Sequence, residues 1–169
     1  MGEEEILAIT LLFIVLIGLA YALIAYLFTA FAYFRLAQAN GEANLAFLAW
    51  IPVANFYLIF LLILNGNREE RVKGAITWIS IYAVLFIVSF IPFVGLIGNL
   101  GIFGISLYIM YRLFYLLSGD STKGVLYTIL SLITIGIFSI IYFMLKRNTT
   151  FILQEGEDNT SIKDGMQDY

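Results

Sequence analysis

The chain contains no cysteine and no histidine. Disulfides, thiolate nucleophiles, zinc sites of the usual Cys/His kind and a histidine general base are thereby excluded. Charge is scarce as well. Only 12% of the 169 residues are charged, about half the roughly 25% of an ordinary soluble domain. These charges sit in short clusters between long uncharged runs, and 62% of the chain is apolar. That is the pattern of membrane spans. The net charge is −3 with no basic stripe, so the composition points to a lipid bilayer and not to nucleic acid.

The apolar segments are 6–34, 45–64, 75–91, 93–117 and 125–145. Glu3, Glu4 and Glu5 stand where a signal peptide is positive, and the run behind them is too long for an h-region, so 6–34 reads as a retained span. Gly18, Ala22 and Ala25 give it one small-residue face for packing against a neighbouring helix. Arg35 closes it. Polar, acidic composition marks 148–169 as a disordered tail, leaving 1–147 as the membrane domain.

Proline is also rare, at two residues, and one of them falls inside segment 45–64, in Trp50-Ile51-Pro52-Val53-Ala54-Asn55-Phe56-Tyr57. Proline suits the first turn of a helix and breaks its interior. A helix from Pro52 to Leu64 is about 20 Å long, against a hydrocarbon core of roughly 30 Å. The segment is therefore either kinked or re-entrant. Counting cations decides between them. If every segment crosses, Arg68, Arg71, Lys73, Arg112 and Lys123 face Arg35, Lys146, Arg147 and the tail Lys163 across the bilayer without bias. If 45–64 is re-entrant, all but Lys146, Arg147 and the tail Lys163 share one side. The expectation is an all-α integral membrane protein of about four spans plus the proline-broken segment.

Two further patterns recur. Gly95, Gly98, Gly101 and Gly104 space segment four, favouring tight packing on two neighbours over a soft helix lining a pathway. Tyr33-Phe34-Arg35-Leu36 resembles Met110-Tyr111-Arg112-Leu113, which anchoring at a membrane boundary explains without duplication.

Chemistry-bearing residues are few. Every acidic residue lies in a terminus or a loop, whereas a proton relay or cation pathway places Asp or Glu within a span. Arg112 near the end of segment four reads as a snorkelling anchor in preference to a gating or anion-binding residue. No metalloprotease motif, Ser-His dyad or pair of intramembrane aspartates is present. The chain therefore reads as non-enzymatic, with no cofactor or metal. Asn55 and Asn99 are amides within apolar segments and need partners. Either Asn55 bonds the backbone groups freed at the break, or Asn55 and Asn99 line a polar cavity with Ser89, Ser106 and Tyr57.

The run Ala49-Trp50-Ile51-Pro52-Val53-Ala54-Asn55-Phe56-Tyr57-Leu58, with Ile91-Pro92-Phe93-Val94-Gly95 and Lys146-Arg147-Asn148, resembles small, mostly uncharacterised polytopic membrane proteins of Gram-positive bacteria. The resemblance implies a bacterial cytoplasmic membrane and no particular activity. The leading functional expectation is a non-enzymatic protein acting on another membrane protein or a peptide, in an accessory, immunity or stress role. The alternative is a small channel or transporter with its site at the Pro52/Asn55 break.

Overall fold

The computed structural model describes residues 2–151. The expected tail falls outside them from residue 152 onward. All regular structure among the described residues is helical: α1 (Glu3–Ala39), a 3-10 helix (Ala43–Trp50), α2 (Pro52–Ile63), α3 (Arg68–Val88), α4 (Gly95–Ser118), α5 (Ser121–Ile133) and α6 (Ile137–Lys146). Three of these, α1, α3 and α4, are long and apolar enough to cross a membrane. The others have 12, 13 and 10 residues in α2, α5 and α6, about 15–20 Å each, too short for a hydrocarbon core of roughly 30 Å.

The break at Pro52 follows its chemistry. Ile51 is extended, at φ −105° and ψ 113°, and Pro52 opens α2. The residue before a proline is pushed out of the helical region, and proline itself suits a first turn.

A second break was not expected. Segment 125–145 does not form one span but stops after Ile133 and restarts at Ile137. Ile135 and Gly136 both have positive φ, 52° and 82°, and the Gly136 N–H donates to Ser131 O at 2.7 Å, closing α5. The Thr134 hydroxyl donates to Leu130 O at 2.9 Å and accepts from the Phe138 N–H at 3.1 Å, tying the end of α5 to the start of α6. A hydroxyl that offers the backbone such alternatives, followed by a glycine able to turn left-handed, is what interrupts the helix.

Hydrogen bonds gather several chain ends at one end of the bundle. Glu42, after α1, is buried and pairs with Arg71 of α3 at 3.0 Å. Arg112 of α4 donates to Ile63 O at 2.9 Å and to Asn65 Oδ1 at 2.8 Å, just past α2. Arg35 of α1 donates to Asn148 Oδ1 at 3.1 Å, just past α6. Asn40 donates to Thr149 O at 3.2 Å and accepts from the Phe151 N–H at 2.7 Å. Residues 148–151, expected in the tail, are thus tied to α1, and Phe151 is buried. The 3-10/α2 pair and the α5/α6 pair each leave this end and return to it. The look-alike arginines share one structural part: each belongs to a long helix and holds the chain just beyond a returning short one.

Packing centres on α2, whose Leu58, Phe60, Leu61, Leu62 and Ile63 are fully buried. Phe60 stacks on Trp78 of α3 and Trp78 on Tyr108 of α4, with centroids 5.7 and 5.6 Å apart. Phe114 of α4 meets Tyr127, Phe138, Tyr142 and Phe143 of the second hairpin. The glycines of α4 face one neighbour and not the two expected: Gly95, Gly98 and Gly101 lie on α3 at Leu85 and Ser89, and nothing lies near Gly104.

Candidate functional site

Between the two helix breaks lies a cavity of about 540 Å³. Its walls come from α1 (Tyr26, Thr29, Tyr33), α2 (Pro52, Asn55), α4 (Ser106, Met110) and the α5/α6 break with α6 (Ile135, Ser139). Thus α2 and α6 each bring a polar side chain to it three residues past the break, Asn55 after Pro52 and Ser139 after Gly136. No Asp, Glu, Lys or Arg is among the lining residues.

Asn55 is 8% exposed, and its Oδ1 has no hydrogen-bond partner among the described residues. Its own N–H continues the helix, donating to Ile51 O at 2.8 Å. The side chain therefore does not bond groups freed at the break; it is directed at the cavity. The Tyr26 hydroxyl, also lining the cavity, is a second buried polar group without a partner. By contrast, Ser106 and Ser139 donate within their own turns, to Ile102 O at 2.8 Å and Gly136 O at 2.7 Å, which leaves their oxygens as acceptors. Such a site is suited to holding an uncharged group that donates and accepts hydrogen bonds. It has no nucleophile-base pair within reach.

The remaining sequence candidates separate. Pro52 lines the cavity. Trp50 is 41% exposed and its ring lies 6.5 Å from that of Phe34, outside the cavity. Tyr57 is half-buried against the core. Asn99 is exposed on α4 and does not join Asn55. It lies on the helix face of Ser106 and Met110 but two turns, about 10 Å, before Ser106, and is not among the lining residues. Ser89 closes α3, donating to Phe86 O at 2.6 Å. Arg112 is half-buried and caps the end of α2 through Ile63 O, so its position follows from the carbonyl it satisfies. Tyr26, Thr29, Ser139 and Ile135 were missed. The signal for the last two was Thr134-Ile135-Gly136 within an apolar run.

Ile135 is a β-branched residue held at φ 52°, a conformation that costs of order 1–3 kcal/mol. Its carbonyl accepts from the Tyr21 hydroxyl at 2.7 Å, which fixes the break against α1. Ile135→Gly is expected to relieve this strain and, after the entropy cost of glycine, to stabilise the fold by about 1 kcal/mol. A rise in the midpoint of thermal unfolding in detergent checks it.

Among the described residues, fold and site together define an all-helical structure with three helices of membrane-spanning length and an uncharged cavity between two helix breaks. No protein-family model, curated protein or solved structure matches it.

Proposed function

We propose that the chain is an integral membrane protein of the channel or transporter class that binds an uncharged small molecule where its two broken hairpins meet. Paired helix breaks near the bilayer midplane are how many transporters build solute sites. The observation that carries this reading is the buried, unpartnered Asn55 amide facing the cavity. Hydrocarbon supplies no water for such a group, and a ligand that donates to it removes a penalty of about 1–3 kcal/mol. Asn55→Leu is therefore expected to abolish stabilisation by uncharged alcohols and amides in thermal unfolding. The unliganded protein should be as stable as before, or more stable by about 1 kcal/mol. A destabilised variant that still responds to alcohols would make Asn55 a structural residue and end this reading.

In the same reading α1, α3 and α4 cross the membrane, while the 3-10/α2 and α5/α6 pairs enter and leave on the cytoplasmic side. Every Lys and Arg among the described residues then lies at that side, as the positive-inside rule requires. The second hairpin is what brings Lys146 and Arg147 back, which the arrangement expected from sequence did not. The absence of cysteine makes this directly testable. Single cysteines at Asn67 and Thr150 are expected to resist an impermeant thiol reagent until cells are lysed, while one at Phe93 reacts in intact cells. Ready labelling at Thr150 in intact cells would show that α5/α6 crosses.

A second reading, association with another membrane protein, draws on α1. Its residues from Ile6 to Ile24 are all exposed, and its 37 residues measure about 56 Å. A smaller complex on native gels when Gly18 and Ala22 become leucine would favour this reading.

A further inference from the structure

A groove of about 380 Å³ runs between α1 and α6, lined by Ile24, Phe28, Ile141, Met144 and Leu145, with Arg147 at one end. It shares Tyr21, Ala25 and Ile140 with the cavity, so the two are continuous. Resting on the solute-binding reading above, we infer that both are filled by one molecule: an uncharged amphiphile whose hydroxyl or amide sits in the cavity and whose hydrocarbon tail lies in the groove.

The polar end is assigned by the partnerless groups. Asn55 Oδ1 needs a donor, and the Tyr26 hydroxyl takes either role. A hydroxyl or amide answers both, and a cavity without a charged residue gives an ion nothing to pair with. The tail is assigned by the groove, whose walls are aliphatic and aromatic over the two turns from Ile137 to Met144, about 12 Å. At the groove's end the Arg147 guanidinium donates one N–H to Met144 O at 2.6 Å and lies over the Phe31 ring at 6.0 Å, so the uncharged class rests on the cavity, and competition by an acid tests it. In a bilayer the tail gains little from leaving other hydrocarbon. Selection therefore comes from the hydrogen bond, and the groove sets where the tail points.

The test uses the full chain in nanodiscs with two photoreactive probes: decanol with a diazirine at the far end of its chain, and benzyl alcohol with a diazirine on its ring. Benzyl alcohol reads the cavity alone, and decanol also reads the groove. Decanol is expected to label the α1 and α6 peptides near Phe28 and Met144. Excess unlabelled decanol should suppress that labelling, and Asn55→Leu should lower it about tenfold, equivalent to about 1.4 kcal/mol in affinity. Ile141→Trp, which fills the groove, should remove decanol labelling there and leave benzyl alcohol labelling intact. If that variant loses both labels, Leu145→Trp, at a position 76% exposed, repeats the test further along. Asn55-dependent benzyl alcohol labelling with decanol spread evenly over α3 and α4 would overturn the groove and leave the cavity reading standing. Loss of Asn55 dependence for both probes would overturn both. Decanoic acid competing better than decanol, and losing that advantage in Arg147→Gln, would assign an anionic ligand and overturn the uncharged class.

Discussion

Arg71→Ala is expected to destabilise the protein by about 3 kcal/mol, measured as unfolding in mixed micelles. The Glu42 side chain is 2% exposed and Arg71, 15% exposed, holds its Oε1 at 3.0 Å. Removing Arg71 leaves a carboxylate that has been taken out of water and lacks its close counter-charge. Arg68 stands 3.7 Å from Oε2, but its side chain is 69% exposed, so it compensates only in part and places the loss at the low end of the usual 3–5 kcal/mol. Arg68→Ala should itself cost less than about 1 kcal/mol, as exposed pairs do. Replacing Glu42 and Arg71 together by leucine should cost less than the sum of the single changes, since neither charge is then left behind. Equal, small losses for Arg71 and Arg68 would show that Glu42 is solvated.

The seam between α3 and α4 should respond to added methyl groups in a graded series. A Cβ at Gly98 would stand 2.8 Å from both Leu85 O and Ser89 N. Backbone atoms cannot rotate aside, so the helices must part, and Gly98→Ala is expected to cost about 2–3 kcal/mol. At Gly101 the atoms met are the Leu85 methyl carbons, at 2.9 and 3.0 Å, and a side chain can turn, so the cost should fall below about 1 kcal/mol. Nothing lies within 4 Å of a Cβ at Gly104. There alanine should be neutral or stabilising by up to about 1 kcal/mol, its advantage in helix propensity. Thermal unfolding of the three variants in one detergent checks the order, and equal effects would mean that the helices are not in close contact.

The helical class, the break at Pro52 and the span-length helices were legible because each rests on local chemistry: long uncharged runs, and a proline that fixes its own φ and its neighbour's ψ. The second break was hidden for a physical reason. Thr134-Ile135-Gly136 is as apolar as its surroundings, and threonine and glycine are both tolerated within membrane helices. What stops the helix there is a left-handed turn that hydropathy does not register. Asn55 stood out in the sequence, yet whether its amide served the helix break or a cavity depended on Tyr26 and Ser139, more than twenty residues away in either direction along the chain. Asn99 carried the same signal but stands two turns before Ser106 on the same face of α4, outside the cavity, and a sequence does not announce how far along a helix a cavity extends. The paired arginines, Arg35 and Arg112, were visible as an echo. Their common work became visible only once the asparagines they hold, Asn148 and Asn65, were placed beside them.

The clustering of cations at one end of the bundle bears on how the chain enters the bilayer during synthesis. With the topology proposed here, the backbone carried across is the stretch around Glu3–Glu5 and the turn 89–94, and neither contains Lys or Arg. A membrane potential negative inside draws acidic side chains outward by about 2.3 kcal/mol per charge per 100 mV, so with that topology the three glutamates in the first turn of α1 would favour moving this end of the helix outward. On that topology the hairpins would not translocate, and the cavity, whose walls come from α1, α2, α4 and α6, could close only once the last of these, α6, had docked.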